Sequence, residues 1–208
     1  MALYVKGIEF EYVPVNLNVG SGRADNPMDT ISAGEHRKAQ YAAVNPQQQV
    51  PALEWREDGQ VRRLAQSMAI VEYLDERFAT PPLLPHSAFL RARARQIAEV
   101  VNAGIQPLQN SGVLAHVASI GGDHIAWARH FIDKGLTGLE RLVAETAGAH
   151  AIGDTLTIAD MWILPQLYNA EQLGMDLTPM PTLRRIFATA SEHPAAVASH
   201  PKRQPDAP

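Results

Sequence analysis

The chain contains no cysteine. That excludes disulfides, thiolate metal sites and a thiol nucleophile borne by the protein, so any thiol chemistry must use a thiol brought from outside. Also missing is an apolar run approaching the ~20 residues that span a bilayer, and Met1 is not followed by a charged and then apolar leader. The expected location is the cytoplasm. Basic residues never run beyond a dipeptide such as Lys202-Arg203, and the net charge is -4, from 18 basic and 22 acidic residues. Nucleic acid and anionic membrane are therefore poor partners. The eight histidines show no His-x-x-x-His or carboxylate spacing suited to a metal, and no glycine-rich phosphate loop follows a strand.

What is present, in 208 residues, is enough for one large or two small domains. Ala2 to Lys6 reads as a fragment too short to be a stable helix alone, closed by Gly7. Ile8 to Val15 alternates apolar and acidic residues, the period-2 pattern of a half-buried strand. A long polar loop is expected over Asn18 to Gly34, then a short helix from Glu35 to Val44. Glu57-Asp58-Gly59-Gln60 predicts a hairpin turn, with Val61 to Leu64 pairing back. Ser67 reads as an N-cap for a helix carrying Met68, Val71, Leu74 and Phe78 on one face, ended by Thr80-Pro81-Pro82. Pro82 to Pro85 then reads as a linker.

Beyond Ser87 every pattern is helical. Leu90, Ala94, Ile97 and Val101 make one stripe, in a helix that Pro107 should kink. Ile125, Ala128, Ile132, Leu136, Leu139 and Val143 make another between Asp123 and Glu145. Thr157-Ile158-Ala159-Asp160 is a capping box with aspartate in the acidic position, flanked by Leu156 and Met161 as a hydrophobic staple. A last helix is expected over Pro181 to Ala190, and His193 to Pro208 reads as a surface-hugging or disordered tail. The domain reading is an α/β unit over 1–82, an all-helical unit over 87–200 and a tail over 201–208, with the cleft between the units as the default ligand site.

One stretch organises the functional reading: Asn45 to Leu53, Asn-Pro-Gln-Gln-Gln-Val-Pro-Ala-Leu, with Gln66-Ser67 beyond it. Asn-Pro opens a turn, and Val50-Pro51 begins a strand whose proline suits a sheet edge or a ligand. X-Pro bonds are cis in only about 5 to 6% of cases, so trans is the default. Taken singly, Ser67 is a plain cap, His36 a solvated loop histidine, and Gln106 and Asn110 polar dimer or interdomain contacts.

Together with Gly104 to Asn110, Gly153 to Asp160, Pro165-Gln166 and Asp176-Leu-Thr-Pro, this stretch resembles the zeta class of glutathione transferases, which includes maleylacetoacetate and maleylpyruvate isomerases. The resemblance runs from about Leu3 into the tail. It implies a thioredoxin-like N-terminal domain, an all-helical C-terminal domain, a homodimer, and glutathione as cofactor with a small organic acid as substrate. It further implies that Val50 pairs its backbone with the cysteinyl part of glutathione ahead of a cis Pro51, and that Gln66 and Ser67 hold the γ-glutamyl carboxylate. His36 would reach the glycine end, and Gln106 and Asn110 would reach in from the helical half. The implied chemistry is thiolate addition to a conjugated cis double bond, rotation, and expulsion.

Two departures accompany it. Family members begin with a strand and a Ser-Ser-Cys-like turn, whereas Ala2 to Gly7 resembles the end of the following helix; no catalytic residue is therefore assigned, and the first domain is expected to be incomplete. Gln172 stands where many relatives carry an arginine for the substrate carboxylate, and an amide lacks the charge-assisted fork. The competing readings are another glutathione transferase or dehalogenase, and a non-catalytic module of the same fold.

Overall fold

A computed structural model describes residues 1–17 and 34–207. The predicted loop over Asn18 to Gly34 lies outside the described residues except for Gly34. The first element, α1 (Ala2–Val5), is four residues long and ends at Gly7 with φ +63°. A helix this short is held by tertiary contacts rather than propensity. Ala2 enters the core, and the buried Lys6 ammonium donates to the Asp75 carboxylate at 2.7 Å and to the carbonyls of Phe78 and Pro81 at 2.5 and 2.7 Å.

Ile8 to Val15 is not a strand, contrary to its alternation. Alternation makes a segment competent to pair, but a strand needs a ladder partner. Among the described residues the only ladder joins β1 (Ala52–Glu57) and β2 (Gln60–Ala65), leaving Phe10 and Tyr12 exposed. These two strands form the predicted hairpin, in register from Ala52 opposite Ala65 to Glu57 opposite Gln60. Asp58 and Gly59 both take positive φ, the two-residue turn that matches strand twist.

The hairpin rests on α3 (Ser67–Arg77), with Leu53 and Leu64 entering the core and Trp55 stacked on Tyr73 at 4.6 Å. Ile70, Val71 and Leu74 form the buried face of α3; Phe78 falls after its last turn and is exposed. The expected Glu35 to Val44 helix is broken by extended Lys38 into a 3-10 turn, Glu35–Arg37, and α2 (Ala39–Ala42).

The helical part comprises α4 (Ala88–Gly104), α5 (Ser111–Ser119), α6 (His124–Ala144), α7 (Ile158–Gln172), α8 (Pro181–Ser191) and α9 (Pro194–Ala198). Ala94, Ile97 and Val101 on α4, and Ala128, Ile132, Leu136, Leu139 and Val143 on α6, are fully buried as their spacing predicts. The capping box forms at α7: buried Asp160 accepts the Thr157 N–H at 2.8 Å and the Ala151 N–H at 2.9 Å. One apolar cluster runs from Ala2, Ile70 and Leu74 through Leu83 into these helices.

Pro107 does not kink a continuing helix. Instead α4 stops at Gly104, Gln106–Gln109 forms a 3-10 turn with the proline near its start, and Asn110 caps α5 by accepting the Gly112 N–H at 3.2 Å. A missing N–H is harmless in the first turn of a helix, so proline starts a new segment here. The tail is likewise more regular than its prolines suggest. Pro194 and Pro201 open α9 and a 3-10 turn, Ala195 and Ala196 are buried, and Tyr12 donates to Asp206 at 2.9 Å.

Candidate functional site

The turn before the first strand is built by Asn45, which is buried. Its carboxamide accepts the Gln47 N–H at 3.1 Å and donates to the Gln49 carbonyl at 2.7 Å, while the Tyr41 hydroxyl donates to the same carbonyl at 2.9 Å. This fixes the approach to Val50-Pro51, whose peptide bond is cis. Hairpin pairing starts only at Ala52, so the Val50 N–H and C=O make no hydrogen bond among the described residues.

At the far end of the hairpin, Gln66 has φ +73° and occupies the N-cap of α3, so Ser67 is the first helical residue rather than the cap. No side chain caps this helix, and the N–H groups of Ser67, Met68 and Ala69 have no intrachain acceptor among the described residues. An eleven-residue helix with an open first turn presents donors and the positive end of its dipole. The Gln66 carboxamide donates to Gln49 Oε1 at 3.3 Å.

A cleft of about 150 Å³ lies between this edge and the helical part, lined by Gln49, Val50, Pro51, Gln66, Ser67, Asn102, Gln106, Pro107 and Asn110. It gathers Val50, Pro51, Gln66 and Ser67 on one wall and Gln106 and Asn110 on the other. None of the lining side chains is charged. Such a surface offers amides, a hydroxyl and backbone groups suited to a peptide-like molecule, and it supplies no general acid or base.

Two predicted residues do not line it. His36 is buried in the 3-10 turn, its Nδ1 without a partner among the described residues, and burial followed by the adjacent Arg37 charge holds its imidazole below the ordinary pKa. Gln172 is exposed at the C-terminal end of α7. Conversely, Gln49, Asn102 and Pro107 line the cleft but are not among the site residues named from the sequence. Asn102 stands four residues before Gln106 and could have been found from that helical spacing. Arg37 also lies close by: a methyl group on Gly112 would stand 3.3 Å from Arg37 Nη2. That approach between distant segments leaves no signal in sequence.

A larger cleft, about 300 Å³, lies on another side of α3 among Glu72, Asp75, Glu76, His86, Arg91 and Arg95. Two of its three carboxylates are engaged, Asp75 by Lys6 and Glu72 by Arg95, and none of the predicted site residues lines it. Among the described residues no cluster of His, Cys, Asp or Glu is placed to hold a metal, and no helix is long and apolar enough to cross a membrane.

A family model described as the glutathione S-transferase N-terminal domain matches residues 1–77. The chain is 39% identical over 208 residues to a probable maleylacetoacetate isomerase of Drosophila melanogaster, covering all of this chain and 78% of that one. It belongs to the zeta-class glutathione transferases. Its fold matches a crystal structure of maleylacetoacetate isomerase from Anaeromyxobacter dehalogenans with bound glutathione, at 42% identity and a TM-score of 0.84, covering 100% of this chain and 90% of that one. It also matches a holo maleyl pyruvate isomerase, a bacterial zeta-class transferase, at 36% identity and a TM-score of 0.86, with 100% and 92% covered. In this zeta-class chain the small sheet and α3 supply one wall of the cleft, and the helical part supplies the other.

Proposed function

We propose that the cleft binds glutathione and that the protein is a glutathione-dependent cis-trans isomerase of a conjugated dicarboxylic keto acid, maleylacetoacetate-like or maleylpyruvate-like, in tyrosine or aromatic catabolism. The observation that carries this is the meeting of the unpaired Val50 backbone with the uncapped start of α3 in one neutral cleft. The Val50 N–H and C=O match the backbone of a cysteinyl residue in an antiparallel pairing. The γ-glutamyl carboxylate is suited to Gln66, the Ser67 hydroxyl and the open N–H groups, where the helix dipole contributes about 0.3 to 1 kcal/mol.

The chemistry supplied by bound glutathione is reversible thiolate addition to a conjugated cis double bond, which frees that bond to rotate. The chain orients the cofactor against its sheet edge, while Gln106 and Asn110 face the cofactor from the opposite wall. The resemblance assigns His36 to the glycine end and Gln172 to a substrate carboxylate; neither lines the cleft, and Gln172 offers only a neutral amide. A cytoplasmic homodimer belongs to the same reading. The test is turnover with glutathione: isomerisation of maleylacetoacetate or maleylpyruvate is expected. Turnover of a haloacid with neither isomerisation would instead establish a transferase or dehalogenase, the second reading, which the uncharged lining favours.

A further inference from the structure

Gln106 and Asn110 reach the cleft from the two ends of a four-residue 3-10 turn, a segment too short to hold its own position. The residues that hold it are not among those lining the cleft. The Gln109 carboxamide donates to Gln166 Oε1 at 2.7 Å and accepts from Asn169 Nδ2 at 2.9 Å and, more weakly, from Gln166 Nε2 at 3.4 Å. Gln166 is 1% exposed, and Asn169 follows it by three residues on α7, so both side chains present to the same turn. Trp127 on α6 donates its Nε1–H to the Leu108 carbonyl at 2.9 Å. Just before the turn, fully buried Ile105 packs so closely on Gly135 of α6 that a methyl group there would overlap Ile105 Cγ1 and Cδ1.

We propose that Gln109, Gln166 and Asn169 form an amide clasp that positions Gln106 and Asn110 in the cleft. They are positioning residues, acting through the turn rather than by touching the ligand; the inference rests on the glutathione reading above. A buried glutamine carries donors and an acceptor that must all be matched, so the side chain is costly as mere filling and effective as a register pin. Apolar residues of similar volume could fill the same space without fixing the turn's rotation.

The test uses the full chain and two readouts, hydrogen exchange across residues 105–110 and glutathione affinity by calorimetry. Gln109→Leu alone leaves the buried Gln166 unpaired, so the informative variant is Gln109→Leu with Gln166→Leu, in which that pair becomes apolar, the half-buried Asn169 amide turns to water, and stability is largely retained. It should exchange faster across 105–110 and bind glutathione roughly tenfold more weakly, with a Tm near that of wild type. Gln109→Glu should restore both readouts toward wild type, because its carboxylate accepts from Asn169 and, after an amide flip, from Gln166. Unchanged exchange in the double variant, or faster exchange with unchanged affinity, overturns the clasp. A wild-type chain that binds no glutathione overturns the underlying reading instead, and exchange distinguishes the two failures.

Discussion

Replacing Lys6 with methionine removes one charge from the junction of α1, α3 and the segment after it while keeping most of the apolar stem. In the folded chain the Lys6 side chain is 0% exposed and Asp75 is 11% exposed. The ammonium satisfies the Asp75 carboxylate and two carbonyls, and Asp75 also accepts the Leu83 N–H at 2.7 Å. Lys6→Met therefore leaves a buried carboxylate with one donor and strips the Phe78 and Pro81 carbonyls of theirs. Breaking one side of a buried pair costs about 3–5 kcal/mol, a large share of the roughly 5–15 kcal/mol typical of a folded protein. Removing both charges, in Lys6→Met with Asp75→Leu, should cost less than either single change, because no uncompensated charge remains. Urea unfolding followed by tryptophan fluorescence and circular dichroism measures all three. A Lys6→Met variant within about 1 kcal/mol of wild type would place the pair in the class of exposed ion pairs and refute the reasoning.

Other outcomes follow from the same geometry. Ser67→Ala should weaken glutathione binding by about tenfold, for the loss of one hydrogen bond to a charged group. Because Gln66 and not Ser67 is the cap, Tm should stay unchanged; a loss of about 1 kcal/mol with unaltered affinity would mark a cap instead. His150 sits 3.3 Å from the buried Asp160 carboxylate, which holds its pKa above the ordinary value against the opposing effect of burial. A raised folded pKa means the stabilisation is complete below the unfolded value of about 6.5 and disappears as pH rises through the folded one. The Tm difference between wild type and His150→Gln should thus be larger at pH 5.5 than at pH 9, and a pH-independent difference would contradict it. Gly135→Ala should cost about 1–3 kcal/mol in urea unfolding, as Ile105 is forced from its seat.

Much of the fold was legible because local rules and packing agree. The Asp58-Gly59 turn, the stripes of α4 and α6 and the Thr157–Asp160 box each need only neighbours a few residues away. The approach of Val50-Pro51 to Gln66-Ser67 in one cleft was also legible, through the family pattern. The failures share a cause in distance along the chain. Ile8 to Val15 has a strand's alternation, but pairing depends on a partner that alternation cannot supply. Pro107 is compatible with a kink or a fresh start, and the docking of Ile105 against Gly135 comes from another helix. The burial of Lys6 likewise comes from α3 and the residues after it, about 70 positions along the chain. Gln109 finds its partners 57 and 60 residues away, so nothing near it announces a clasp.

We propose a glutathione site in the neutral cleft between Val50-Pro51, Gln66-Ser67 and Gln106–Asn110. Calorimetric titration of the full chain with glutathione, beside cysteinylglycine as the analogue lacking the γ-glutamyl group, addresses it most directly. Saturable one-site binding of glutathione, with the dipeptide at least about tenfold weaker for want of the carboxylate held at the start of α3, is the predicted result. Absence of glutathione binding, or equal affinity for the two, would contradict it.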